Sequence, residues 1–184
     1  SNNDPLKIYY TGNIGEAQGF EKIIEILISL KNENICWYFI GDGSFKKNLE
    51  EKIVVNGLDK VFLIDHQEIE KMLEMISDAD LLLVLLKDNQ LFNNTVPAKL
   101  QSYMCIGKPI IGLISGESKK IIEDAECGFA FPANNKKDFI QKILFVEKQQ
   151  KSFLIKLGQN GRKYYLDKFR SSKRKKEILG LLNN

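Results

Sequence analysis

The sequence has little of what a disulfide framework, a metal site or a membrane anchor would require. Its 184 residues include one histidine and three cysteines. Cys36, Cys105 and Cys127 are odd in number and never closely spaced, which argues against both disulfide pairing and a zinc-ligand cluster. All three lie in apolar segments and read as buried free thiols of a reducing compartment. No apolar run approaches the roughly 18–20 residues of a membrane span. The longest run, residues 81–86, suits a buried strand instead. No secretory leader is expected at the start. Charged residues make up 28% of the chain, yet the net charge is only +3. That balance excludes a charged disordered tail as the whole molecule and gives no electrostatic case for nucleic-acid binding.

What is present is an alternation. With 43% apolar residues the chain is long enough for one domain with a real core. Short apolar runs at 7–11, 36–40, 61–64, 81–86, 110–114 and 128–131 are apolar almost throughout, as strands covered on both faces must be. Between them, apolar residues recur at helical spacing: Phe20, Ile23, Ile24, Leu27 and Leu30; Phe45, Leu49 and Ile53; Ile69, Met72, Leu73 and Ile76; Val96, Leu100, Tyr103 and Met104; Ile121, Ile122 and Ala125. Repeated strand–helix alternation predicts an α/β, Rossmann-like, doubly wound sheet of six parallel strands in the order 3-2-1-4-5-6. After Phe131 the pattern turns helical, with Asn134-Asn135 as a capping pair, a helix over 152–166 and another over 171–182. Residues 3–184 therefore read as a single domain with extra C-terminal helices.

In such a sheet, ligands bind beyond the carboxyl ends of the strands. The first loop carries Gly12, Asn13, Ile14, Gly15, Glu16, Ala17, Gln18 and Gly19, with a helix beginning near Gln18. Glycines allow close backbone approach, and a helix N-terminus offers unpaired N–H groups and a positive dipole end to a phosphate. The spacing is neither a dinucleotide fingerprint nor a Walker loop, and an ordinary strand-to-helix turn reads equally well. Glu16 is expected to point outward, since it would repel an anion. The second loop, Gly41-Asp42-Gly43-Ser44, offers Asp42 to a ribose hydroxyl or forms a plain tight turn with Ser44 as N-cap. Backbone from Ile64 to His66 is placed to read a flat base, although a lone histidine is more often structural.

Pro97 suits a first helical turn, whereas Lys99 there is unusual, because cations prefer the other helix end. A bound phosphate would compensate; a solvated lysine is the alternative. Glu117 and Ser118 either cap the helix after the fifth strand or face a ligand. Asp78-Ala79-Asp80 resembles a metal-binding D-x-D but falls on the opposite sheet edge and reads as a helix end. Lys168, Arg170 and the run Lys173 to Lys176 form a basic cluster, read as a solvated helix face or as a contact with an anionic membrane surface.

Taken in order, Gly12-Asn13-Ile14-Gly15 with Gln18-Gly19, Gly41-Asp42-Gly43, Ser77-Asp78-Ala79-Asp80, Pro97-Ala98-Lys99, Gly107-Lys108-Pro109 and Gly116-Glu117 resemble the C-terminal half of group 1 glycosyltransferases of the GT-B fold. The branch they most resemble is that of the fucosamine transferases of surface-polysaccharide synthesis. The resemblance runs from about Ile8 to Phe169.

The resemblance implies a donor-binding half whose partner, an N-terminal acceptor domain of the same protein, lies outside this chain. It implies transfer of a hexose or amino-deoxyhexose from a UDP-sugar to a polysaccharide or lipid-linked acceptor, without cofactor or metal, on the cytoplasmic side and in some contact with the membrane's inner face. The isolated domain would be inactive. Gly12, Asn13, Ile14, Gly15, Gln18 and Gly19 would receive the diphosphate, Gly41 to Gly43 the nucleoside, and Ile64 to His66 the base. Lys99 would face the diphosphate or sugar beside Pro97, and Glu117 the sugar side. The sequence departs from the family at four positions. Many relatives carry an arginine and a lysine where Asn13 and Gln18 stand, and two glutamates where Asn94 and Ser102 fall. Ser102 would offer the ribose one hydroxyl and no charged acceptor. Two other readings are a sugar-nucleotide 2-epimerase half, which would need further catalytic acids and histidines, and a nucleotide-binding module that has lost catalysis. The final helices are expected to leave apolar surface exposed on Tyr164, Tyr165 or Phe169.

Overall fold

The computed structural model describes residues 4–87 and 96–170. Six strands, β1 (Leu6–Thr11), β2 (Ile35–Ile40), β3 (Val61–Ile64), β4 (Leu81–Leu85), β5 (Ile110–Leu113) and β6 (Gly128–Phe131), form one sheet in the order β3-β2-β1-β4-β5-β6. Every pairing is parallel. The order is the one the alternation predicts. Helices α1 (Phe20–Ser29), α2 (Lys46–Asn56), α3 (Ile69–Ser77), α4 (Ala98–Ile106), α5 (Gly116–Asp124), α6 (Lys136–Glu147) and α7 (Lys151–Tyr164) cover its faces.

The period-2 alternation of strand side chains divides the core in two. Ile8, Tyr10, Trp37, Phe39, Leu81, Leu83 and Leu85 point to one face and pack with Phe20, Ile23 and Leu27 of α1, Leu49 of α2 and Phe139 and Ile143 of α6. Tyr9, Leu82, Val84 and Ile110 point to the other and pack with Ile76 of α3, Leu100, Tyr103 and Met104 of α4, and Ile121 and Ile122 of α5. β1 and β4 lie side by side at the middle, and there the chain changes faces. A crevice opens at such a switch point, at the carboxyl ends of the strands.

Several local expectations are corrected. Gln18 belongs to a 3-10 turn, Glu16–Gln18, and α1 starts only at Phe20. Phe45, not Ser44, is the N-cap of α2, and Ser115, not Glu117 or Ser118, that of α5. Asn135 does cap α6, its side chain accepting from the Asp138 amide. In α3 only Ile76 is buried, while Ile69 and Leu73 are exposed, because α3 lies toward the sheet's edge, where little packs over it. Cys127 is buried, but Cys36 is half-buried and Cys105 exposed on α4. Tyr164, Tyr165 and Phe169 are half-buried against the second core, and Leu166 is the exposed apolar residue of that stretch. The helix expected over 171–182, the lysines at 173, 175 and 176 and Asn94 lie outside the described residues. No helix among the described residues is long and apolar enough to cross a membrane.

The C-terminal helices tie both layers together. Leu154 of α7 joins the first core, and the π-helical turn Tyr165–Arg170 that follows packs on the second. α7 achieves this through two buried glycines, Gly158 and Gly161. A methyl group at Gly158 would collide with the Gly107 carbonyl, in the turn between α4 and β5, and one at Gly161 would press on Cys127. Gly158→Ala gains about 1 kcal/mol of helix propensity and loses about 1–3 kcal/mol to overpacking against rigid backbone. We expect net destabilisation, read as a lower urea midpoint at unchanged m-value. A variant as stable as the parent would show that α7 slides without cost.

Candidate functional site

The loops after β1, β2 and β3 interlock through their backbones. The Gly12 amide donates to the Ile40 carbonyl, the Gly41 amide to the Ile64 carbonyl and the Ile14 amide to the Asp42 carbonyl, at 2.8–2.9 Å. Gly41 takes φ +149°, and a Cβ there would collide with the Gly12 carbonyl, so contact between the first two loops requires glycine. The Asp42 carboxylate accepts the His66 amide at 3.2 Å. Thus the Ile64 carbonyl and the His66 amide, expected to read a base, also hold the loops to one another. The His66 side chain is exposed.

Inside the first loop, the Gln18 side-chain oxygen Oε1 accepts the Gly15 amide at 3.2 Å and the Asn13 side-chain amide at 3.4 Å. Asn13 and Gln18 therefore brace the loop where a charged pair would project from it. Ile14 and Gly15 are buried, Gln18 and Gly19 half-buried, and Gly12, Asn13 and Glu16 exposed, Glu16 as expected. Below the loop, the buried Tyr10 hydroxyl donates to the Asn13 carbonyl at 2.6 Å. Its ring packs edge-on against Phe20, the first residue of α1.

Lys99 reaches this point from α4. Its ammonium stands 3.6 Å from the centroid of the Tyr10 ring, and a Cβ on Gly12 would lie 3.3 Å from its Cε and Nζ. Among the described residues no carboxylate pairs with it. Burial alone pulls its pKa down to about 7. A half-buried ammonium in the first turn of a helix, without a counter-charge among the described residues, suits a site that receives an anion. One turn on, the buried Tyr103 hydroxyl accepts the Thr11 amide at 2.9 Å and shares a 3.1 Å bond with the Thr11 hydroxyl, anchoring α4 to the end of β1.

The other expected residues divide. Pro97 is the N-cap of α4, half-buried two residues before Lys99 in the chain. Ser102 is exposed, and its hydroxyl donates to the Ala98 carbonyl of its own helix at 3.0 Å. Glu117 is exposed in the first turn of α5. A cavity of about 350 Å³ adjoins the first loop, lined in part by Gln18, Gly19, Lys22, Leu86 and Lys87. At the opposite sheet edge Asp80 accepts the Lys7 amide at 2.9 Å and Asp78 pairs with the Lys7 ammonium at 2.7 Å, structural roles for the D-x-D sequence. No group of three metal-ligating side chains occurs among the described residues.

Sequence reading missed Tyr10, Tyr103 and Lys46. The first two carry no local signal, because their partners are remote or are backbone atoms. Lys46 had one, its spacing four residues after Asp42. Its ammonium lies 2.6 Å from both Asp42 and Asp65.

The family pattern described as "Glycosyl transferases group 1" matches residues 1–164. The chain is 26% identical over 128 residues to the probable glycosyltransferase WbjE of Pseudomonas aeruginosa, a match covering 68% of this chain and 32% of that protein. It thus spans about a third of that curated relative's length. Among solved structures, the C-terminal domain of the glycosyl transferase group 1 protein LpcC from Francisella tularensis superposes with TM-score 0.70 at 22% identity, covering 90% of this chain and 88% of that one. HepE of Anabaena, solved in complex with UDP, superposes with TM-score 0.76 at 17% identity, covering 98% of this chain and 49% of that one.

The Lys99 geometry has a measurable consequence. A lysine whose folded pKa is lowered to about 7 from 10.5 binds fewer protons than the unfolded chain between those values, so its contribution to stability rises with pH across that window. Lys99→Met removes the buried ammonium. The variant should be more stable than the parent at pH 6–7, and the gap should close as pH approaches about 10. Urea unfolding across that range checks this; a gap independent of pH would mean that Lys99 titrates normally.

Proposed function

This chain belongs to the group 1 glycosyl transferases and has the fold of the C-terminal half of a GT-B enzyme, and on that premise we propose that it is the domain that binds the nucleotide-sugar donor. The observation that carries the reading is the convergence of Lys99 with the glycine-shaped first loop. An ammonium with no carboxylate partner among the described residues, exposed loop backbone and a helix N-terminus surround one point at the switch between β1 and β4. A diphosphate there meets the positive ends of α1 and α4 and the charge of Lys99. During transfer the leaving diphosphate gains charge, and fixed positive groups stabilise it more as that charge grows. In this reading Lys99 and the helix ends carry that task without a metal ion.

The nucleoside extends over Gly41, Asp42 and Gly43 toward Ile64 and His66, and the sugar toward Glu117. UDP is the favoured nucleotide, supported by the UDP complex of HepE. The sugar is a hexose or amino-deoxyhexose, and the acceptor a polysaccharide or lipid-linked glycan. The acceptor is held by a further domain of the protein, in keeping with the chain's share of its curated relative. Exposed Lys168 and Arg170 suit a peripheral contact with an anionic membrane on the cytoplasmic side. Alone, this domain binds donor without transferring sugar. The Ser102 hydroxyl, engaged with its own helix, favours one alternative: a module that keeps the fold with a weakened nucleotide grip.

Titration calorimetry with UDP tests the reading. Anion binding raises the Lys99 pKa, so the complex takes up a proton above pH 7. UDP affinity should then fall by up to about tenfold per pH unit between pH 7 and 9. Lys99→Met should bind about 10- to 100-fold more weakly at pH 7, as expected for loss of a charge-assisted bond, and lose the pH dependence. Chelator should leave binding unchanged. Absence of binding at millimolar UDP would favour the weakened module.

A further inference from the structure

Lys46 is the first residue of α2, and no acidic residue stands in that helix's first turn. A cation is unfavourable there, so the helix gains nothing from its charge. Its side chain is nonetheless only 20% exposed, against 60% for Asp42 and 89% for Asp65. The ammonium is 2.6 Å from Asp42 Oδ1 and 2.6 Å from Asp65 Oδ1. The other Asp42 oxygen, Oδ2, accepts the His66 amide, and the Asp42 backbone carbonyl accepts the Ile14 amide. Asp42 therefore holds the loop after β1 with its backbone and the loop after β3 with its side chain, and Lys46 ties that side chain to Asp65.

We infer that Lys46 is a positioning residue for the nucleoside end of the site: by bridging Asp42 and Asp65 it sets the spacing between the loops after β2 and β3, an inference that rests on the donor reading above. An i,i+4 pair with Asp42 alone would only stitch a helix to its own N-terminal turn. The second carboxylate, Asp65 in the loop after β3, makes it a brace between loops. Without the ammonium the two carboxylates face each other as like charges, and the Asp42 side chain loses its orientation toward the His66 amide. Both Asp42 oxygens accept bonds from within the protein, so Asp42 holds the loop whatever further hydrogen bond it accepts. The fold does not depend on the brace, because the Gly41–Ile64 and Ile14–Asp42 backbone bonds remain.

The test compares Lys46→Met and Lys46→Arg with the parent chain. It measures amide hydrogen exchange at His66 without ligand, and calorimetric affinities for UDP and for inorganic pyrophosphate. Lys46→Met should speed His66 exchange at least fivefold and weaken UDP at least fivefold, while pyrophosphate changes less than twofold. Lys46→Arg should restore both. Should Lys46→Met fold poorly, Asp65→Asn cuts the same bridge from the exposed side and should give the same pattern. Unchanged His66 exchange would overturn the brace. Faster exchange with unchanged UDP affinity, or equal weakening of UDP and pyrophosphate, would overturn its role at the nucleoside. A parent chain that binds pyrophosphate but not UDP would instead overturn the donor reading, and this inference with it.

Discussion

One lysine has to cross from one layer of the molecule to the other, and the arrangement of the site follows from that crossing. Lys99 starts on α4, which packs on the second core, and ends over the ring of Tyr10, which belongs to the first. It passes where β1 and β4 are neighbours and where Gly12 has no side chain to block it. Tyr10 is itself fixed on both sides, by Phe20 at the start of α1 and by the Asn13 carbonyl above. Moving any of these would displace the ammonium from the ring or close its path. The cation–π contact offsets part of the cost of burying the charge, though not all of it, since burial still lowers the pKa.

Around that cation the site has a braced half and an open half. Toward β2 and β3, successive loops hang on one another through backbone bonds, the Asp42 carboxylate and Lys46. Toward β5, Glu117 is exposed and a cavity opens beside the first loop. Under the proposed reading, a donor-binding half needs both properties, one end to hold the nucleotide and one to meet an acceptor. A rigid end favours binding because pre-ordered groups lose less entropy on binding.

The strand order and the two cores were legible because they rest on counting. Apolar runs of 4–6 residues separated by helical spacings leave few topologies once crossovers must be right-handed. The resemblance to the group 1 family was likewise carried by short motifs in order, and the family match agrees with it. Helix ends were read less well. Ser44 and Ser118 have the right chemistry for caps, yet the chain turns into its helices at Phe45 and Ser115. Cys105 lies in an apolar stretch but on the outward side of α4, a distinction that depends on which face of the helix meets the sheet.

The sequence by itself determined the sheet, the loops that carry the candidate site and Lys99 as their odd cation, because periodicity and glycine placement are local properties. Only the tertiary structure decided what each polar group does. It turned Asn13 and Gln18 into braces, committed Asp42 to the His66 amide and to Lys46, and engaged the Ser102 hydroxyl with its own helix. It also brought Tyr103, 92 residues away in the chain, to the end of β1. The physical reason is that a hydrogen bond or ion pair depends on distance and direction in space. Those are set only once strands far apart in sequence lie side by side.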